Sequence, residues 1–124
     1  MSFLNLALKT ALESDCRQRV GAVVVKGGSI LAVATNRDYN DPAYLEEAKV
    51  RDHASICAER RALAMISDDA AKGAIVYVAR ARRIDDDHGC SKPCERCAAV
   101  MEAAGVKRSV FVAADEGDDT SEKY

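Results

Sequence analysis

The chain has 124 residues, which is enough for one domain with a single core. Its net charge of −2 gives no general attraction for nucleic acid or an anionic membrane, and no apolar run approaches the roughly 20 residues that a membrane helix needs. Its 5 cysteines are an odd number and include a Cys-x-x-Cys, which favours metal-bound thiolates and a reducing compartment over a disulfide framework. We therefore expect a cytoplasmic protein with no membrane association.

The first half of the chain predicts a helix followed by a β-hairpin. Apolar residues recur at three- and four-residue spacing over residues 2–15, as on one face of a helix. A β-branched run at 20–26, a Gly-Gly turn and a second apolar run at 29–35 predict two antiparallel strands. Residues 36–50 are polar and predict a loop.

The second half predicts two further helix–strand units. In chain order these are a helix capped by Asp52 or Ser55 and ending near Ser67, a strand over 74–80, a loop over 82–92, a helix over 93–104 and a strand over 106–114. Two strands joined by one helix should be parallel, with a right-handed crossover. The expected fold is therefore an α/β three-layer α/β/α sandwich whose mixed sheet has an antiparallel N-terminal hairpin and parallel later strands. We place one domain at 1–114 and expect an acidic, flexible tail at 115–124.

Two short motifs in this second half could form one metal site. The first is Cys57-Ala58-Glu59, and the second is Pro93-Cys94-Glu95-Arg96-Cys97. Together they supply three thiolates, and a carboxylate lies two residues after the first of them. Zinc in catalytic sites commonly has three protein ligands, an open position for water and a nearby general acid/base that is not a ligand. The two motifs together are specific, whereas either one alone is weak.

The pair of motifs resembles the cytidine/deoxycytidylate deaminase superfamily, whose pattern is (His or Cys)-x-Glu followed by Pro-Cys-x-x-Cys. The resemblance covers residues 1–114 and implies a fold of the cytidine deaminase type. It implies one zinc ion per chain, held by Cys57, Cys94 and Cys97. It also implies that Glu59 is the catalytic proton shuttle between water, the ring nitrogen and the leaving amine.

The same resemblance suggests roles for three further residues. The backbone N–H of Ala58 would hold the pyrimidine carbonyl oxygen, and Asn36, at the end of the second strand, would bind a sugar hydroxyl. Arg60 would hydrogen-bond the ligand thiolates from outside the metal's own shell. One departure is Arg19, which stands where cytidine deaminases usually carry an aromatic residue. The second motif is more similar to the deoxycytidylate and tRNA-adenosine branch, so the substrate cannot be carried over from either branch.

Several residues keep alternative interpretations. His53 precedes Cys57 by four residues and could line the pocket, contact a phosphate, replace Cys57 as a ligand or be purely structural. His88 and Cys90 could join the Cys-x-x-Cys in a separate, closed zinc site, which would leave Glu59 without a role. The three arginines at 80, 82 and 83 could meet a nucleotide phosphate or form a solvated loop with the aspartates that follow.

The resulting hypothesis is a zinc-dependent hydrolase that converts cytosine in a small nucleoside or nucleotide (cytidine, deoxycytidine or dCMP) to uracil and ammonia. One alternative is a deaminase acting on single-stranded nucleic acid, which the acidic charge and few aromatic residues disfavour. A second is a non-catalytic zinc-binding domain, and a thiol–disulfide module is the weakest. Because the last strand of the expected sheet leaves an open edge, we also expect a homo-oligomer, either a dimer or a tetramer.

Overall fold

The computed structural model describes residues 2–16, 18–38, 55–93, 95–112 and 119–122. In chain order, the elements in these ranges are α1 (Phe3–Ala11), β1 (Arg19–Lys26), β2 (Ser29–Thr35), β3 (Arg37–Asp38), β4 (Ser55–Ile56), α2 (Ala58–Leu63), α3 (Asp68–Ala71), β5 (Ile75–Ala81), β6 (His88–Gly89), α4 (Glu95–Ala104), β7 (Arg108–Val112) and β8 (Asp119–Glu122).

A mixed sheet forms the centre of the fold. Its strand order is β2-β1-β5-β7-β8, and β6 pairs with the C-terminal end of β5. The β1–β2 and β1–β5 pairs are antiparallel, whereas β5 and β7 are parallel. The predicted N-terminal hairpin and the predicted parallel pair are both confirmed. A separate antiparallel pair joins β3 to β4.

Helices pack on both faces of this sheet because the side chains of each strand alternate between two cores. On one face, α1 buries Leu4 and Ala7 against a cluster that includes Val23 of β1. On the other face, α2 and α4 bury Ala62 and Met101 in a cluster with neighbouring positions of β1, β2 and β5. The three-layer α/β/α arrangement expected from the sequence is therefore present.

The start of α2 differs from the prediction. Ser55 does not cap a helix, because Ser55 and Ile56 form β4 and pair with Asp38 and Arg37. Cys57 is the N-cap, with extended backbone angles of φ −65° and ψ 144°. The alternative cap, Asp52, lies outside the described residues. The chain therefore passes from strand to helix directly at the first proposed zinc ligand.

The end of this helical region also differs. The prediction ran one helix to about Ser67, but α2 ends at Leu63 and Ser67 caps α3 by accepting a hydrogen bond from the backbone N–H of Ala70 at 3.2 Å. Serine favours such a cap because its hydroxyl satisfies a backbone donor that has no partner within the helix.

The C-terminal segment is not simply a tail. The sequence predicted a flexible stretch over 115–124 beyond the last strand. Instead, Asp119–Glu122 forms β8 and pairs antiparallel with β7, with Val112 opposite Asp119. The edge of β7 that was expected to stay open is thus covered by the chain itself. In the described sheet, β2 is the other edge, and its Ile30, Leu31 and Val33 are exposed.

No helix in the described ranges is both long enough and apolar enough to cross a membrane.

The closest approach of α1 to the sheet depends on a glycine in β1. A Cβ added at Gly21 would clash with the carbonyl oxygen of Ala7 and lie only 2.6 Å from the backbone nitrogen of Ala11. We expect Gly21→Ala to lower the free energy of unfolding by about 3 kcal/mol, the upper part of the range for overpacked cores, because backbone atoms cannot move aside cheaply. Urea unfolding would measure this loss.

Ser29→Ala is the matched control, because Ser29 is exposed at the start of β2 and its Cβ is already present. Its unfolding midpoint should stay close to that of the unchanged protein. An equal midpoint for Gly21→Ala would contradict the close packing of α1 on β1.

Candidate active site

A cavity of about 260 Å³ opens where β1 begins and β5 ends. Val20 of β1 and Val78 of β5 form its apolar floor, and the start of α2, residues 57–59, forms one wall. Residues 90–92, between β6 and α4, form another part of the wall. The cavity therefore lies at the end of the sheet where segments from distant parts of the chain meet.

Two predicted site residues stand together in the first turn of α2. Ala58 is fully buried and Glu59 is only 4% exposed, and both line the cavity. The turn is closed by a hydrogen bond from the backbone N–H of Arg61 to the carbonyl of Cys57, at 3.2 Å. Because the helix starts at the cavity wall, its first side chains border the cavity.

The carboxyl group of Glu59 is held in an unusual environment. The pKa of Glu59 is raised to about 7, mainly by burial and also by the charge of Cys57, while hydrogen bonds from the Glu59 backbone and the Cys97 side chain partly offset the rise. In the metal-free protein, this carboxyl is thus divided between its protonated and ionised forms near neutral pH. Perturbed carboxyl groups in clefts are frequent at catalytic sites.

Two of the three proposed zinc ligands, Cys57 and Cys97, lie in the described part of the chain. Cys97 is fully buried on α4 and hydrogen-bonds Glu59, while Cys57 lies close enough to raise the pKa of the same carboxyl. Cys94 lies outside the described residues. Within the described ranges, no group of three or more His, Cys, Asp or Glu side chains is placed to hold a metal. The two described thiols both act on the same buried carboxyl, and this donor set is compatible with a zinc site that would need Cys94 as its third ligand.

Asn36 has a clear structural role at the cavity wall. It is 5% exposed, and its Oδ1 accepts hydrogen bonds from the Ser14 hydroxyl at 2.7 Å and from the Val20 N–H at 3.1 Å. Its Nδ2 donates to the Gln18 carbonyl at 2.7 Å. An amide nitrogen carries two hydrogens, so a contact from Nδ2 to a substrate remains compatible with this network. That contact stays a prediction.

The two arginines that follow Glu59, Arg60 and Arg61, differ in what the structure shows of their contacts. Arg60 is half-buried on α2, and its link to the zinc ligands stays a prediction. Arg61, which the sequence did not single out, donates from Nη1 to the Thr35 carbonyl at 2.6 Å. Because Thr35 directly precedes Asn36, this bond fixes the end of β2 against α2. The sequence around Arg61 does not predict this bond, because its partner, Thr35, lies far away in the chain.

Ser91 is another residue that the sequence did not reveal. Its hydroxyl donates to the Val78 carbonyl at 2.8 Å and accepts from the Val112 N–H at 3.0 Å, while its own N–H donates to the Val112 carbonyl at 2.8 Å. It therefore bridges β5 and β7 beyond the point where their own pairing ends at Tyr77 and Val110. This anchors the segment that leads into the Cys-x-x-Cys motif.

The alternative closed zinc site loses support from the position of His88. Its Nε2 lies 3.3 Å from Oδ1 of Asn5 on α1, whereas Cys90 lines the cavity. His53 lies outside the described residues, and the strand at Ser55–Ile56 removes the continuous helix that would have aligned it with Cys57. Arg19, at the position of the expected aromatic residue, forms an ion pair with Asp86, with 2.7 Å between Nη2 and Oδ1.

The hydrogen-bond network of Asn36 gives a stability prediction. Asn36→Ala would leave the Ser14 hydroxyl, the Val20 N–H and the Gln18 carbonyl without their partner, and each unsatisfied buried group costs about 1–3 kcal/mol. We expect a loss of about 3 kcal/mol in the free energy of unfolding, measured by denaturant titration. Ser14→Ala should cost less, about 2 kcal/mol, because Asn36 keeps its other two bonds and the Cys16 N–H, which donates to the Ser14 oxygen at 3.1 Å, loses that acceptor. If both variants were as stable as the unchanged protein, the network would not be important for folding.

Comparison with known proteins identifies the family. The chain matches the family described as "Cytidine and deoxycytidylate deaminase zinc-binding region" over residues 1–113. No curated protein matches significantly. The chain is similar to the dCMP deaminase of cyanophage S-TIM5 solved with dCMP and dUMP, with 26% identity and a TM-score of 0.61, covering 86% of this chain and 75% of that one.

A second solved structure agrees on the fold. The cytidine deaminase of Burkholderia pseudomallei is 23% identical and has a TM-score of 0.63, covering 97% of this chain and 88% of that one. The family match spans nearly the whole chain, and both solved structures are similar to it in fold. The chain therefore belongs to the cytidine and deoxycytidylate deaminase family.

Proposed function

We propose that this protein is a zinc-dependent hydrolase that removes the exocyclic amine of cytosine in a small nucleoside or nucleotide, giving uracil and ammonia. The observation that carries the proposal is the position of Glu59, a buried carboxyl that lines the cavity, hydrogen-bonds Cys97 and lies close to Cys57. Burying a carboxyl costs free energy, and a purely structural zinc site has no use for one beside its ligands.

The metal would be held by Cys57, Cys94 and Cys97, with one zinc ion per chain. When bound, zinc supplies a water molecule that is acidic enough to act as a nucleophile at neutral pH. Three thiolates would give the site a net negative charge, which Arg60 would offset by hydrogen-bonding to them. Cys97 is fully buried, so its thiolate would be shielded from bulk solvent.

Glu59 would move the protons of the reaction. It would carry one proton of the attacking water to the ring nitrogen of cytosine and then the second proton of that water to the departing amine. The backbone N–H of Ala58 would orient the base through its carbonyl oxygen, and the Asn36 amide would contact the sugar. All three residues border the same cavity, so one bound substrate could meet them together.

Two alternatives make different demands on the structure. A deaminase of single-stranded nucleic acid would use aromatic side chains as stacking platforms, yet aromatic residues are only 5% of the chain and none lines the described part of the cavity. A non-catalytic zinc domain would leave the burial of Glu59 unexplained. Assembly into a dimer or tetramer and a cytoplasmic location remain part of the proposal.

The catalytic role of Glu59 can be tested by removing its charge alone. We expect Glu59→Gln to keep its zinc and its fold while losing about 10²- to 10⁴-fold in turnover, because general acid/base catalysis contributes about that much. Ammonia release from deoxycytidine and dCMP would measure the loss. Glu102→Gln, at an exposed position of α4, is the matched control and should keep full activity. Turnover of Glu59→Gln within a few-fold of the unchanged protein would refute the mechanism.

The metal assignment has a readout that does not depend on activity. We expect one zinc per chain, with X-ray absorption showing three sulfur ligands and one light atom. Cys97→Ser and Cys94→Ser should lose zinc and lower the melting temperature together, because binding free energy adds to folding free energy. Cys16→Ser and Cys90→Ser should retain zinc. Loss of zinc in Cys90→Ser would favour the closed site instead, because His88, Cys90, Cys94 and Cys97 would also give three sulfur ligands and one light atom.

A further inference from the structure

Arg61 lies on the side of α2 that is turned away from the cavity. Glu59 lines the cavity, whereas Arg61, two residues later, lines a separate groove of about 320 Å³ beside the end of β2. Residues two apart in a helix point about 160° apart around its axis, so these two side chains leave α2 in nearly opposite directions. Any influence of Arg61 on a substrate beside Glu59 must therefore pass through other residues.

The guanidinium of Arg61 bonds to the residue that precedes Asn36. Its Nη1 donates to the Thr35 carbonyl oxygen at 2.6 Å and lies 3.5 Å from the Thr35 hydroxyl. Hydrogen bonds with a charged donor are shorter and stronger than those between neutral groups. Asn36 itself is held from the other side, because its amide bonds to the chain after α1 and to the start of β1. The Arg61 bond thus joins α2 to a segment that is already fixed to β1.

The apolar packing of α2 on β2 makes this bond important. The buried side chains that these two elements contribute to their shared core are alanines, Ala58 and Ala62 from α2 and Ala32 and Ala34 from β2. Alanines form low ridges, so their packing resists a shift of the helix along the strand less than large interdigitating side chains would. A zinc ion on the proposed ligands would tie α2 to α4 and not to β2. The Arg61 bond therefore supplies a directional restraint that the packing lacks.

We infer that Arg61 is a positioning residue, which sets the position of the Glu59 carboxyl relative to the Asn36 amide. This inference rests on the proposed function, because it concerns the alignment of one substrate between those two groups. In that reaction, Glu59 would move protons at the base while Asn36 would contact the sugar. A misplacement of about 1 Å in such an arrangement slows a reaction by about 10²-fold.

Arg61→Met tests this role, because methionine keeps an apolar stem and removes the hydrogen-bond donors. We expect the zinc content to stay unchanged and single-turnover deamination of deoxycytidine to slow by about 10- to 100-fold. Arg61→Lys keeps a charged donor without the planar guanidinium and should lose less, about three- to tenfold.

Arg82→Met is the matched control. Arg82 also holds a partly buried guanidinium in a hydrogen bond, but its partner is Asp85 within the loop between β5 and β6, at 3.0 Å from Nε. Of the three arginines at 80, 82 and 83, only Arg80 lines the cavity. The control removes the same charge away from the contact between α2 and β2, so its deamination rate should match that of the unchanged protein.

Product inhibition distinguishes a loss of alignment from a smaller folded fraction, because inhibition constants do not depend on how much of the enzyme is active. Deoxyuridine would contact both Asn36 and the surroundings of Glu59, whereas uracil has no sugar. In Arg61→Met we expect the inhibition constant of deoxyuridine against deoxycytidine to rise at least about fivefold, while that of uracil changes less than about twofold.

Three outcomes would overturn the inference: a deamination rate in Arg61→Met within about twofold of the unchanged protein, an equal rise in both inhibition constants, or an equal loss of rate in Arg82→Met. Should Arg61→Met fail to fold, Arg61→Lys decides. We then expect the ratio of the two inhibition constants to change at least about twofold, and an unchanged ratio would count against the positioning role.

The unchanged protein separates this inference from the proposed function. Ammonia release from deoxycytidine or dCMP supports the proposed function, and the Arg61 variants then test the positioning role alone. If only dCMP is deaminated, dCMP and dUMP replace deoxycytidine and deoxyuridine in the assays. No ammonia from any cytosine compound overturns the proposed function, and with it the alignment that Arg61 would serve.

Discussion

The side-chain amide of Asn36 is the interaction on which the cavity depends. It joins the chain after α1, the start of β1 and the end of β2 through three hydrogen bonds made by one buried group. Because buried polar groups must find partners, each of these segments is held at a fixed distance from the others. Arg61 then ties the neighbouring carbonyl of Thr35 to α2, so the helix that carries Glu59 is attached to the same junction.

Ser91 has the corresponding role in the part of the cavity wall formed by residues 90–92. Parallel strands that diverge leave backbone groups without partners, and the Ser91 hydroxyl and amide satisfy those of Val78 and Val112. Ser91 thereby attaches the segment that leads to the Cys-x-x-Cys motif to the sheet. The two walls of the cavity are thus positioned by polar bonds at strand ends, while the apolar cores only hold the layers together.

The distribution of charge in the cavity follows from where each element starts or ends. Helix α2 begins at the cavity and brings a carboxyl next to two thiols, which is costly without a metal cation to compensate for it. Strand β5 ends at the cavity and brings an arginine, which rests against a glycine that leaves room for it.

The sequence by itself determined what depends on residues close together in the chain. The Gly27-Gly28 turn and its flanking β-branched runs specified the hairpin, and the spacing of Cys57 from Glu59 and of Cys94 from Cys97 identified the family. Tertiary structure decided the rest. Which arginine of the cluster meets the cavity, how Ser91 bridges two strands and how Asp119–Glu122 pairs with β7 all depend on contacts between distant segments. Local sequence patterns do not predict such contacts, because hydrogen bonds between residues far apart in the chain form only when the layers pack.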